Sequence, residues 1–239
     1  AHSATLATDR GEGTINAEAA KLTTSGEGSP VIYSTGNIIV NNVNGIANNS
    51  EIGVVEGKNS ITLTNSNVTG YKDNGFMLYQ SFSGDAESGI ARLKAENNTL
   101  TTHATGAFLY VNNTTAEVDL SNNAISMPNT STLVKAAADS RWGKTGENGG
   151  HLTLRTSNQE LSGNIMADSI STIALDMTNG SSLVGAVNTD NAAKEVTVKL
   201  SKDSNWILTG DSYIKSLNNE DTTGSNIHLN GYKLVVADK

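Results

Sequence analysis

The chain of 239 residues has no cysteine, two prolines, three phenylalanines and two tryptophans, and aromatic residues make up 5% of it. Without cysteine there is no disulfide framework, no thiol nucleophile and no Cys-type metal site, and an oxidising compartment carries no risk of mispairing. No apolar run approaches the roughly 20 residues of a membrane-spanning helix. Cations are also scarce. Lys and Arg number 16 against 24 Asp and Glu, a formal net charge of −8, and no Lys/Arg run is present. A phosphate backbone or an anionic membrane surface is therefore not an expected partner. The start Ala1-His2-Ser3 shows no signal peptide and reads as a processed or trimmed end.

What the chain does contain is a repeat. An apolar couplet occurs at Ile38-Val40, Ile61-Leu63, Leu93-Ala95, Val118-Leu120, Leu152-Leu154, Ile173-Leu175 and Val196-Val198. The steps between first members are 23, 32, 25, 34, 21 and 23 residues. A unit this short cannot bury its own apolar face, so neighbours must stack. The alternation of apolar and polar residues makes the units strands. The expected fold is all-β: one parallel β-helix of about eight to ten coils, with a C-terminal cap. Residues 1–28 read as an irregular first coil, 29–204 as regular coils, and 205–239 as the last coils and cap, with Trp206 in the cap or core. Hydrophobic content of 36% is low for a globular protein, but a slender solenoid has a thin core.

Two further registers accompany the couplets. Four residues after each first member stand Asn42, Asn65, Asn97 and Asn122, suited to a corner turn and to Asn–Asn bonding along the axis. Six upstream segments superpose without gaps. Their third column is Ile32, Val55, Leu78, Leu109, Val134 and Ala167, expected inside. Their fourth column is Tyr33, Glu56, Tyr79, Tyr110, Lys135 and Asp168, expected as one outward stripe. Insertions at 80–90 and 136–150 leave the same edge of that stripe, and long loops on a repeat scaffold tend to mark its binding face.

The couplet period, the turn asparagines and the loops from one edge resemble the right-handed parallel β-helix of secreted bacterial proteins, of pectate-lyase-like architecture, over roughly residues 14–236. That group includes polysaccharide lyases, polygalacturonase-type hydrolases and autotransporter adhesin passengers. The runs Tyr79-Gln80-Ser81-Phe82-Ser83-Gly84 and Arg141-Trp142-Gly143 resemble clostridial-type cell-surface β-helix proteins. The resemblance implies right-handed coiling and a secreted or cell-surface location, but no particular activity.

The chemistry-bearing residues point to binding more than to catalysis. Glu56 and Asp168 lie too many coils apart to act as a glycosidase pair. Asp85, Asp139 and Lys135 are the candidates for an acid/base cluster, and Asp85 and Glu87 the candidates for a Ca²⁺ site beside loop carbonyls. No cofactor is otherwise expected, and His2, His103, His151 and His228 have no metal-ligand spacing. Asn-x-Ser/Thr triplets, among them those at Asn48, Asn67, Asn97, Asn112, Asn113 and Asn129, read as turns of an Asn/Thr-rich β protein. No aligned outward threonine column recurs beyond Thr62-Leu63-Thr64, which argues against ice binding. The expected function is a non-catalytic extracellular or cell-surface binding or adhesion module. It contacts a polysaccharide, a cell-surface glycan or a surface protein through Tyr33, Glu56, Tyr79, Tyr110 and Lys135, with Phe82, Arg141 and Trp142 from the loops. The alternatives are a polysaccharide lyase or glycoside hydrolase of the same fold, and a fibre-forming surface protein.

Overall fold

The computed structural model describes residues 2–10 and 13–237, so Ala1, where the sequence suggests a processed end, lies outside it. Among these residues every regular element is a strand, and every strand pairing is parallel. The chain winds as a parallel β-solenoid of about ten turns. Each early turn visits three sheets in order: a short strand such as Ile32–Ser34, a longer one such as Asn37–Asn41, and a third such as Asn44–Ala47. Stacking builds a first sheet of seven strands, a second of nine and a third of five. The third sheet stops at Ala124–Ser126, and a separate four-stranded sheet beginning at Glu160–Ser162 takes over its side of the solenoid.

The second sheet places the couplets inside. Ile38, Ile61, Leu93 and Val118 form one column, as the sequence period requires. The column then slips by two residues. Val118 pairs with Leu154, not Leu152, and continues through Leu175, Val198 and Leu217. The slip keeps every side chain on its face, because strand side chains alternate with a period of two. It also lengthens the asparagine register. Four residues beyond Leu154 and Leu175 lie Asn158 and Asn179. Asn42, Asn65, Asn97, Asn122, Asn158 and Asn179 all adopt left-handed backbone, with φ between 48° and 58°. That conformation strains most residues but suits asparagine. The expected ladder forms in part: Asn122 Nδ2 donates to Asn97 Oδ1 at 2.8 Å and Asn158 Nδ2 to Asn122 Oδ1 at 3.4 Å.

A second ladder runs inside the same corner. Ser66 Oγ accepts from Val43 N (3.0 Å), Asn98 Oδ1 from Ser66 N (2.9 Å), Asn123 Oδ1 from Asn98 N (3.1 Å), Gln159 Oε1 from Asn123 N (2.9 Å) and Ser181 Oγ from Gln159 N (3.2 Å). All five acceptors are buried. Each turn thus caps a corner amide of the turn before it, a group that would otherwise be desolvated without a partner.

Outward residues of the second sheet carry charge. Lys94, Asp119, Arg155, Asp176 and Lys199 occupy one column on five successive strands. Arg155 lies 3.5 Å from Asp119 and Lys199 lies 3.9 Å from Asp176. The third sheet corrects one expectation. Thr23, Thr69 and Thr101 do share an outward column, interrupted by Ile46 and ended by Ser126. Near the C-terminal end Trp206 is wholly buried, with Nε1 donating to Gly185 O at 2.9 Å.

Two substitutions test this construction. Leu109 is buried in the core, so Leu109→Asp should abolish cooperative thermal unfolding. Asn123→Ala strips the Asn98 amide of its acceptor and should lower stability by about 2 kcal/mol or more, read from the urea midpoint.

Candidate functional site

The first sheet is apolar on both faces. Its inward residues join the solenoid core, while Val54, Met77, Tyr79, Ala107, Tyr110 and Ala137 form a second apolar cluster outside it, with Tyr33 and Trp142 packed against them. The expected single stripe is two adjacent columns. Tyr33, Val54, Met77, Tyr110, Lys135 and Met166 make one. Glu56, Tyr79 and Asn112 make the other. The six third-column residues are buried as expected but do not stack as one column: Ile32 pairs with Gly53 and Leu78 with Val111. Ungapped superposition shifted some turns by two residues, an error that alternation hides.

The loops account for the second burial. Residues 80–90 fold back on Glu56, which is 1% exposed. Its carboxylate accepts hydrogen bonds from Tyr33 and Ser81, from Tyr79 at 3.2 Å and from Ser83 at 3.2 Å. Four hydroxyl donors replace its lost hydration. Glu87 of the same loop pairs with Lys58. In the 136–150 loop, Asp139 Oδ1 accepts from Arg141 N at 2.6 Å and Trp142 N at 3.3 Å, and Asn148 Nδ2 donates to Trp142 O at 2.7 Å. Gly143 has φ 75°, and a Cβ there would lie 2.1 Å from Asn113 Oδ1, so only glycine fits. These contacts raise Trp142 over Tyr79, with ring centroids 5.4 Å apart and planes inclined by 50°. Phe82 of the other loop meets Trp142 at 6.2 Å and is 68% exposed.

A groove of about 1100 Å³ crosses the outer face of the first sheet. Ala7, Tyr33, Val54, Met77 and Tyr79 contribute its floor, and Arg141 and Trp142 wall one side. The turns that lead into the first sheet wall the other, with Glu27, Glu51 and Lys72–Asn74. Of the expected contact residues, Tyr33, Tyr79, Arg141 and Trp142 line the groove. Glu56 lies beneath it, buried. Tyr110 is 7% exposed and carries Lys135 Nζ at 5.5 Å from its ring, and neither residue lines the groove.

The candidate catalytic residues each hold a different partner or loop. Lys135 sits over Tyr110, Asp139 is paired with Arg141 at 3.4 Å, and Asp85 belongs to the other loop. Among the described residues no three His, Cys, Asp or Glu side chains gather as metal ligands, and Glu87, the partner of Asp85 in the candidate Ca²⁺ site, is turned toward Lys58. The floor residues Val54 and Met77 escaped the sequence reading. Their signal was the unbroken apolar runs Val54-Val55 and Phe76-Met77-Leu78, which mark a strand buried on both sides. The rim residues Glu27, Glu51, Lys72 and Asp73 had none, because they lie in turns of ordinary polar composition. No family model, curated protein or solved structure matches the chain.

Burial shapes the phenols. It pushes Tyr110 up to about 12, with the Asp139 charge adding to the shift. It also raises Tyr33, helped by neighbouring Tyr79 and by the bond to Glu56, and it raises Tyr79. Unfolded phenols ionise near pH 10, so the unfolded chain loses these protons first. The stability they contribute is complete below about pH 10 and is lost as pH rises through the folded values. The urea midpoint should fall as pH rises above about 10, and less steeply in Tyr110→Phe. Glu56→Ala leaves four hydroxyls without their acceptor and should cost about 2–4 kcal/mol. Limited proteolysis of that variant should cut first within residues 80–90.

Proposed function

We propose that this chain is a non-catalytic binding module of a secreted or cell-surface protein, and that it receives a glycan chain in the groove on the first sheet. One observation carries the reading: a preformed groove with an apolar floor and an aromatic wall, Tyr79 and Trp142, held by a loop whose conformation Asp139, Gly143 and Asn148 determine. Aromatic rings give apolar area to the faces of sugars, and flanking polar groups orient hydroxyls. The floor runs over four successive turns at Ala7, Tyr33, Val54 and Met77, three steps of about 4.8 Å or roughly 14 Å. A linear chain suits that length better than a single ring. Preorganisation favours binding, because the Glu56 anchor and the Asn148 bonds order the loops before any ligand arrives. Absence of cysteine and a surface rich in Asn, Thr and Ser agree with an extracellular setting.

A glycan-array screen followed by calorimetric titration tests the reading. Trp142→Ala should weaken binding by about 1–3 kcal/mol in a variant that still folds, since Trp142 stands outside the solenoid core. Unaltered affinity in the folded Trp142→Ala variant would remove the groove from consideration. Turnover of a bound oligosaccharide would replace the binding reading by an enzymatic one.

A further inference from the structure

The charges around the groove do not balance. Three carboxylates line it, Glu27, Glu51 and Asp73, against two permanent cations, Lys72 and Arg141, with His2 beside Glu27. Both cations are engaged. Lys72 Nζ lies 2.6 Å from Glu27 Oε1, and Arg141 Nη2 lies 3.4 Å from Asp139 Oδ2. No salt bridge reaches Glu51 or Asp73 among the described residues, although the Lys72 ammonium that binds Glu27 also feels both of their charges. They stand on adjacent turns, because Ile52 N donates to Gly75 O at 2.8 Å and so places residue 51 beside residues 73 and 74. Glu51 is 8% exposed and accepts hydrogen bonds from Ser50 Oγ at 2.7 Å and from the Asn74 side chain, whereas Asp73 is exposed. Burial, and then the Asp73 charge, raise the Glu51 carboxyl above its ordinary value. A ligand that brings a positive charge to this rim relieves that repulsion, and one that brings a negative charge increases it.

We propose that the glycan of this groove, on the reading given above, is cationic: a linear chain of amino sugars with free 2-amino groups, one ammonium lying at Glu51 and Asp73 while a sugar face rests on the Tyr79–Trp142 wall. Three observations meet in this assignment. The aromatic wall provides the stacking surface and attracts cations through its ring faces. These two carboxylates, which Lys72 offsets only in part, supply the counter-charge that a partly desolvated ammonium requires. The net charge of −8 attracts polycations to the molecule and repels polyanions such as uronic acid chains. An N-acetyl group removes the charge while keeping the ring, so acetylation is the discriminating feature.

The experiment titrates the whole chain at about pH 6 with three oligosaccharides of equal length: glucosamine, N-acetylglucosamine and glucose oligomers. The expected result is binding of the glucosamine oligomer about tenfold or more tighter than the other two, weakened by added salt. Asp73→Asn, an exposed and isosteric change, should reduce that preference several-fold. Glu51→Gln should do the same if its melting curve matches that of the wild type. Equal affinity for the glucosamine and N-acetylglucosamine oligomers overturns the charge assignment and leaves the glycan reading standing. Retained preference in the folded Asp73→Asn and Glu51→Gln variants overturns the placement at these carboxylates. Binding of none of the three, together with silence on a broad glycan array, overturns both.

Discussion

Each corner of a β-solenoid turns backbone amides inward, away from water, and the fold depends on satisfying them. Here the Ser66–Asn98–Asn123–Gln159–Ser181 ladder does so turn by turn. A left-handed asparagine stands one residue before the first four members, at Asn65, Asn97, Asn122 and Asn158. The two requirements belong together. The left-handed residue swings the chain through the corner, and the next side chain then reaches the amide of the preceding turn. Because every cap is supplied by a neighbouring turn, no turn is satisfied alone, which is the hydrogen-bond counterpart of the shared apolar core.

The first sheet adds a second constraint. Its outward residues are apolar at Val54 and Met77 and aromatic at Tyr33, Tyr79 and Tyr110, so leaving that face bare would expose a large apolar patch. Two insertions cover part of it and stop short of the rest, and the uncovered remainder is the groove. Glu56 shows how firmly the cover is held: a buried carboxylate is tolerated because two tyrosines and two serines converge on it. The same interaction orders a loop and orients the Tyr79 ring against Trp142. Stability and recognition thus draw on one set of contacts.

Much of the architecture was legible in the sequence because alternation and period are local signals. The couplets placed the second sheet's core face, and the asparagines marked its corners. What escaped was register. A shift of two residues at Leu154 leaves the polar and apolar faces unchanged, so composition cannot detect it, yet it hid Asn158 and Asn179 from the corner series. The same blindness merged two outward columns into one and put Tyr110 beside Tyr79, where the strand pairing puts Asn112. In the groove, Tyr33, Tyr79, Arg141 and Trp142 were legible as outward or loop residues. Glu51 and Asp73 were not, since their importance arises from stacking two turns whose spacing in sequence carries no motif.

The charged column on the second sheet has a consequence for how the molecule assembles. Lys94, Asp119, Arg155, Asp176 and Lys199 alternate in sign from strand to strand. Adding turns in the proper order always sets opposite charges side by side. If one turn were skipped, Lys94 would meet Arg155, or Asp119 would meet Asp176, and like charges directly opposite are unfavourable. Apolar columns cannot make this distinction, because one aliphatic rung accepts another almost indifferently. The charge order of the column thus disfavours out-of-sequence docking of turns, a hazard to which repetitive β chains are prone.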